Sequence, residues 1–119
     1  MTNYDRGTGL ERDVAQRLIE AGCVIALRSA GSHGVFDVIA LREAGKPPLL
    51  VQCKADRHRV TPGEWLGLVV FARRVGGMAV LADRSGPRRM PALWTVTGER
   101  PRNGRIDDFL EPLAWGDVA

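Results

Sequence analysis

The chain has 119 residues, 45% hydrophobic and 26% charged, a balance that fits one soluble globular domain and excludes both a disordered chain and two ordinary domains. No apolar run approaches the ~18 residues needed to cross a bilayer. The polar start MTNYDRGTGLERD does not read as a secretory signal, so a cytoplasmic protein with no membrane partner is expected. Seventeen basic residues against 14 acidic ones give a net charge of +3, which permits a nucleic-acid partner without demanding one.

Residues 1–8 read as a polar arm. From Gly9 to about Ala21, Leu10, Val14, Ala15, Leu18 and Ile19 recur at spacings of three and four, which predicts an amphipathic helix. Thr8 would cap it, with Glu11 as capping-box partner, and Gly22 would stop it. Residues 23–29 and 35–42 are short, apolar and rich in β-branched side chains, and the Gly/Ser turn at 30–34 joins them as a hairpin. Residues 49–54, LLVQCK, add a third antiparallel strand. Thr61-Pro62-Gly63-Glu64 is a helix start, and Trp65, Leu66, Val69, Val70 and Ala72 would form the apolar face up to Val75. Residues 78–82 follow as a fourth strand, which a right-handed crossover would lay parallel to the third. Beyond a loop at 84–92, ALWTV is a short fifth strand; residues 98–105 resemble a linker, and IDDFLEPLAW holds a short helix. The fold expected is α/β: a mixed central sheet flanked by helices, in one domain spanning 1–119 whose tail, 98–119, has no clear pattern.

Polar residues that interrupt this pattern point to a site. Asp37 lies inside the apolar run VFDVIAL, where an acid is costly unless it is paired or binds a cation. Gln52 and Lys54 share one face of the third strand, and Cys53 takes the other. An Asp on one strand and Gln-x-Lys on its neighbour are best explained by one shared site. Glu11 is either a helix-capping residue or a third member. Cys23 and Cys53 form no CxxC pair and no Cys/His cluster, which argues against zinc, and His33 and His58 read as surface histidines. Every basic residue except Lys46 and Lys54 is an arginine, the side chain suited to bidentate phosphate contact.

The stretch RGTGLERDVAQRLIEAGCVIALRSAGSHGVFDVIAL followed by VQCK resembles the archaeal-type Holliday-junction resolvases and their phage relatives, within the restriction-endonuclease-like superfamily of Mg²⁺-dependent nucleases. The resemblance runs from Arg6 to about Lys54, with a looser echo to Ala82. It implies a restriction-endonuclease-like core of helix, three antiparallel strands, helix and strand. By position it assigns Glu11 as the first-helix carboxylate, Asp37 as the metal-binding strand aspartate, Lys54 as the catalytic lysine and Ser32 as the turn serine near the site. Arg6 and Arg28 fall at basic positions near the DNA path. The main departure is Gln52, where the common pattern is Glu-x-Lys; an amide keeps a ligand oxygen but removes a charge.

The resemblance therefore implies phosphodiester hydrolysis with Mg²⁺, or Mn²⁺ as its substitute, held by Glu11, Asp37, the Gln52 side chain and the Cys53 carbonyl. Arg6, Arg12, Arg28, Arg57 and Arg59 are the expected phosphate contacts. The expected partners are a four-way DNA junction and a second copy of the chain, with the apolar tail segments WTV and FLEPLAW as one interface. Two other readings stand beside this one: a nuclease of the virus-type replication-repair branch acting on flaps or nicked duplex, and a noncatalytic DNA-binding or structural module of the same fold.

Overall fold

The computed structural model describes residues 3–29, 35–85, 90–99 and 105–119, with the backbone alone for 3–8. Two helices and six strands follow one another in the order α1 (Asn3–Glu20), β1 (Ile25–Arg28), β2 (Val38–Leu41), β3 (Leu49–Cys53), α2 (Pro62–Val75), β4 (Met78–Asp83), β5 (Ala92–Val96) and β6 (Leu110–Leu113). The strands lie in one sheet in sequence order. β1, β2 and β3 form the expected antiparallel meander, and β4 lies parallel to β3 with Gln52 opposite Leu81. β5 and β6 extend the sheet antiparallel.

The sheet separates two cores. On one face Leu10, Val14 and Leu18 of α1 pack on Val38, Ala40, Leu49, Val51 and Val80. On the other, Trp65, Leu68, Val69 and Ala72 of α2 pack on Leu50, Ala79 and Leu81. Burial on both faces explains why β3 reads as the unbroken apolar run Leu49-Leu50-Val51. Thr61 caps α2 as expected: its hydroxyl accepts the Glu64 N–H at 3.1 Å, and Glu64 accepts the Thr61 N–H at 2.8 Å. Gly76, at φ +67°, ends the helix in the left-handed region that glycine tolerates.

Three expectations are corrected. α1 begins at Asn3, so residues 3–8 are helical and Thr8 lies inside the helix instead of capping it. The apolar face of α2 is rotated: Leu68 is buried, whereas Leu66 and Val70 face outward, as does Ile19 on α1. The tail holds a strand beyond the short helix expected of it. It forms a 3-10 turn at Ile106–Phe109 and then β6, which closes one edge of the sheet. Its apolar side chains are used within the fold: Leu110 and Ile106 join the α2-side core, and the Trp115 indole donates to the Pro91 carbonyl at 2.8 Å.

Candidate active site

The chain places its unusual polar residues at one edge of the sheet, where β2 begins and β3 ends. Asp37 precedes β2 and extends its ladder: its N–H donates to the Val51 carbonyl at 2.8 Å, and its carbonyl accepts the Ser29 N–H at 2.8 Å. Its side chain then replaces the next rung. Asp37 Oδ2 accepts the Cys53 N–H at 2.8 Å, in the position of a backbone carbonyl. The carboxylate is thus fixed at the end of the sheet, between its two faces. Since a strand residue's N–H and C=O point to the same side, the Cys53 carbonyl is directed toward this edge too.

Glu11 reaches the edge from α1. Its carboxyl lies beside that of Asp37, and Arg28 Nε lies 3.6 Å from its Oε2. Burial raises the Glu11 pKa, the Asp37 charge raises it further, and Arg28 opposes both. Burial also raises Asp37; the Cys53 N–H and the Lys54 charge offset part of this, and Glu64 adds to it. Two half-buried carboxyls side by side hold their protons more tightly than free ones, and a cation beside them, as Arg28 is in part, favours their charged forms.

Gln52 follows Val51 on β3 and lies on the face of α2, the face of Leu50. It is only 7% exposed, and among the described residues its side-chain amide has no hydrogen-bond partner. A buried amide without a partner is costly, so a ligand at this edge would satisfy it. Lys54 continues the same face, and its Nζ lies 2.7 Å from Glu64 Oε2 on α2. The Cys53 thiol is held protonated by burial and by the charges of Asp37 and Glu11, so only its backbone is suited to a hard cation.

Among the described residues no three His, Cys, Asp or Glu side chains form a metal cluster. That accords with the sequence, where the third donor expected beside the two carboxyls is an amide, that of Gln52. Two carboxyls, an unpartnered amide oxygen and a peptide carbonyl make an all-oxygen donor set that fits Mg²⁺.

The expected arginines are divided. Arg28 is at the site, and Arg12 and Arg59 are exposed. Arg57 is not on the open surface that phosphate contact needs. It bonds Asp83 at 3.1 Å and Asp107 at 3.0 Å, and stacks 4.2 Å from the ring centroid of Trp94. Ser32, His33 and the Arg6 side chain lie outside the described residues. Two groups escaped the sequence reading. Glu64 was fully explained as a helix cap, so nothing marked it as a site residue. Arg84, placed in a loop, pairs with Asp13 at 3.6 Å and its charge reaches Cys53.

A mixed sheet with a helix on each face, a strand aspartate, a helix glutamate and a lysine meeting at one edge define the class of nucleases built on a restriction-endonuclease-like core. The sequence matches the archaeal Holliday junction resolvase (Hjc) family over residues 2–100. The fold is similar to the solved structure of Archaeoglobus fulgidus Hjc, a Holliday junction resolvase from an archaeal hyperthermophile. The TM-score is 0.59 and the identity 31%, over 74% of this chain and 70% of that one. No curated protein matches. The chain belongs to the archaeal Holliday junction resolvase family.

Proposed function

We propose that the chain is a Mg²⁺-dependent endonuclease that resolves four-way DNA junctions. The observation that carries this reading is the Glu11–Asp37 carboxyl pair beside the unpartnered Gln52 amide and Lys54, in a chain of this family. Glu11, Asp37, the Gln52 side-chain oxygen and the Cys53 carbonyl would hold the cation. With Lys54 paired to Glu64, the Glu11 and Asp37 carboxylates would face the cation, Arg28 offsetting part of the Glu11 charge. When bound, the cation polarises the scissile phosphate and acidifies a water. The Lys54 ammonium stabilises the charge that builds on the phosphate oxygens. Water oxygen bonds to phosphorus as the P–O3′ bond breaks, leaving a 5′-phosphate and a 3′-hydroxyl.

Arg28, Arg12, Arg59 and Arg84 supply the phosphate contacts, which position DNA and carry no base specificity. A junction presents two scissile strands related by a two-fold axis, so a symmetric dimer matches it. The second copy would cover the apolar side chains left open on the α2 side of the sheet: Ile25 and Leu27 of β1, Leu41 of β2, and Leu66 and Val70 of α2.

The test is cleavage of a labelled four-way junction, a flap and linear duplex, each with Mg²⁺ or EDTA. Paired Mg²⁺-dependent nicks in the junction are expected. Equal cutting of the flap would move the substrate away from junctions, and tight binding with no cutting under any divalent ion would remove catalysis from the fold.

A further inference from the structure

The Lys54 ammonium is held by a helix and not by its own strand. Its contact is Glu64 Oε2 at 2.7 Å, and the two side chains are about equally half-buried. Asp37 acts on Lys54 through charge and makes no ion pair with it. Gln52, two residues before Lys54 on the same face, is neutral.

Glu64 is itself immobilised. Its Oε1 accepts the Thr61 N–H at 2.8 Å, and its own N–H donates to the Thr61 hydroxyl at 3.1 Å. Pro62 fixes the backbone at the first helical position. One carboxylate oxygen therefore closes the helix cap, and the other is free to face the sheet. A lysine on a flexible four-carbon stem, its charge already felt by Asp37, would otherwise fall onto that carboxylate and compete with a cation for the pair. We propose that Glu64 is a positioning residue of the site: from the first turn of α2 it holds the Lys54 ammonium in place and keeps it off the Glu11–Asp37 pair. This rests on the nuclease reading above. It adds a residue from outside the three-strand meander, and it gives the capping box of α2 a second task.

Glu64→Gln is the discriminating variant, because the glutamine oxygen still accepts the Thr61 N–H while the charge facing Lys54 is lost. The chain has only two lysines, Lys46 and Lys54, so Lys46→Arg leaves one lysine CεH₂ signal in the NMR spectrum. A fixed ammonium gives two distinct geminal protons at Cε, and a free one gives a single averaged signal. The expected result in Glu64→Gln is collapse of that splitting and a fall of about tenfold or more in the single-turnover rate on a saturating junction. The junction dissociation constant and the unfolding midpoint stay close to those of the parent. A merely structural glutamate would lower the midpoint together with the rate. Persistence of the splitting, or a rate equal to the parent's, overturns the proposal alone. A parent protein that cuts no DNA with any divalent ion overturns the nuclease reading and this one with it.

Discussion

At position 52 the chain places a neutral amide, 93% buried by its 7% exposure, where no side chain or backbone group of the described residues answers it. At the same edge of the sheet, Asp37 and Glu11 hold two acidic groups together with raised pKa values, burial being the largest cause for each. The sign of the consequence is definite. A carboxyl with a raised folded pKa binds its proton more tightly in the native state, so its contribution favours folding below the unfolded value and declines as pH rises through the folded one. In the metal-free protein the charged forms of these carboxyls are therefore held at a cost, set mainly by burial, that the unfolded chain does not bear. Asp37→Asn, which keeps an oxygen for the Cys53 N–H, is expected to raise the thermal midpoint of the metal-free protein at pH 7. Mg²⁺ should then stabilise the parent and not the variant. A midpoint that falls, or an equal Mg²⁺ effect on both, would show that Asp37 is neither strained nor a ligand. Gln52→Glu restores a third charge to the donor set and is expected to lower the Mg²⁺ concentration for half-maximal cleavage; an unchanged requirement would remove residue 52 from the ligands. Asp37, Gln52 and Lys54 were legible in the sequence because each breaks a strand pattern that has no bland use for it. Glu64 was not, because a capping box accounts for a glutamate completely.

Secondary elements near this edge are tied by a second polar cluster whose sequence gave the wrong impression. Arg57 lies in a polar loop, where a cation is usually solvated, yet here it joins four parts of the chain. Asp83, at the end of β4 and 1% exposed, accepts from Ser85, from the Trp94 indole of β5, and from Arg57. Arg57 in turn reaches Asp107 in the turn before β6, and His58 sits between Asp56 and Asp107 at 2.9 and 3.1 Å. Burial alone would raise the Asp83 pKa, but the bonds from Ser85, Trp94 and Arg57 outweigh it and the net shift is downward. Its contribution is therefore present above the usual aspartate value and disappears as pH falls through the lower folded one. Asp83→Ala strands a mostly buried guanidinium and is expected to cost about 3 kcal/mol in a denaturant titration at pH 7; a loss within error of zero would show that Asp107 alone holds Arg57. His58 shifts the other way. Its pKa is raised by Asp107 first and Asp56 second, so its support is full below about the ordinary histidine value of 6.5 and fades as pH climbs through the folded one. His58→Ala should flatten that part of the stability–pH curve, and an unchanged curve would leave the histidine a spectator. The sixth strand was hidden for a related reason: LEPL carries Pro112, which cannot donate to a ladder, and such a strand is tolerated only at a sheet edge.

For the whole molecule, the decisive feature is how unevenly the sheet is covered. α2 packs chiefly over β3 and β4 and reaches the start of β2 through Phe36 and Ile39, while among the described residues no helix packs closely on β1 from that side. Leu27, 53% exposed, stands there with Ile25 and Leu41, and the outward residues of α2, Leu66 and Val70, lie on that side of the sheet. The sequence pattern alone assigned Leu66 and Val70 to the core, since a helix with apolar residues on more than one face does not say which face is buried. It also offered the tail as one candidate interface, and there β6 forms the outer strand of the sheet. An apolar patch of this kind on a small protein is a place for a partner, and a two-fold substrate makes a second copy the fitting one. Charge belongs to the same argument. At +3 overall, the chain gains little from long-range attraction, so a monomer with few phosphate contacts would bind weakly, whereas a dimer doubles them along two arms of one junction. Leu27→Glu combined with Leu66→Glu is expected to leave the fold intact, because both side chains are exposed. In sedimentation the parent should run as a dimer and the variant as a monomer. On a labelled junction the variant should lose paired incision and show a shallower dependence of binding on salt. A parent that sediments as a monomer at the concentrations where it cuts both strands would place the two-fold match in the DNA alone, and a variant that remains dimeric would place the interface on another face.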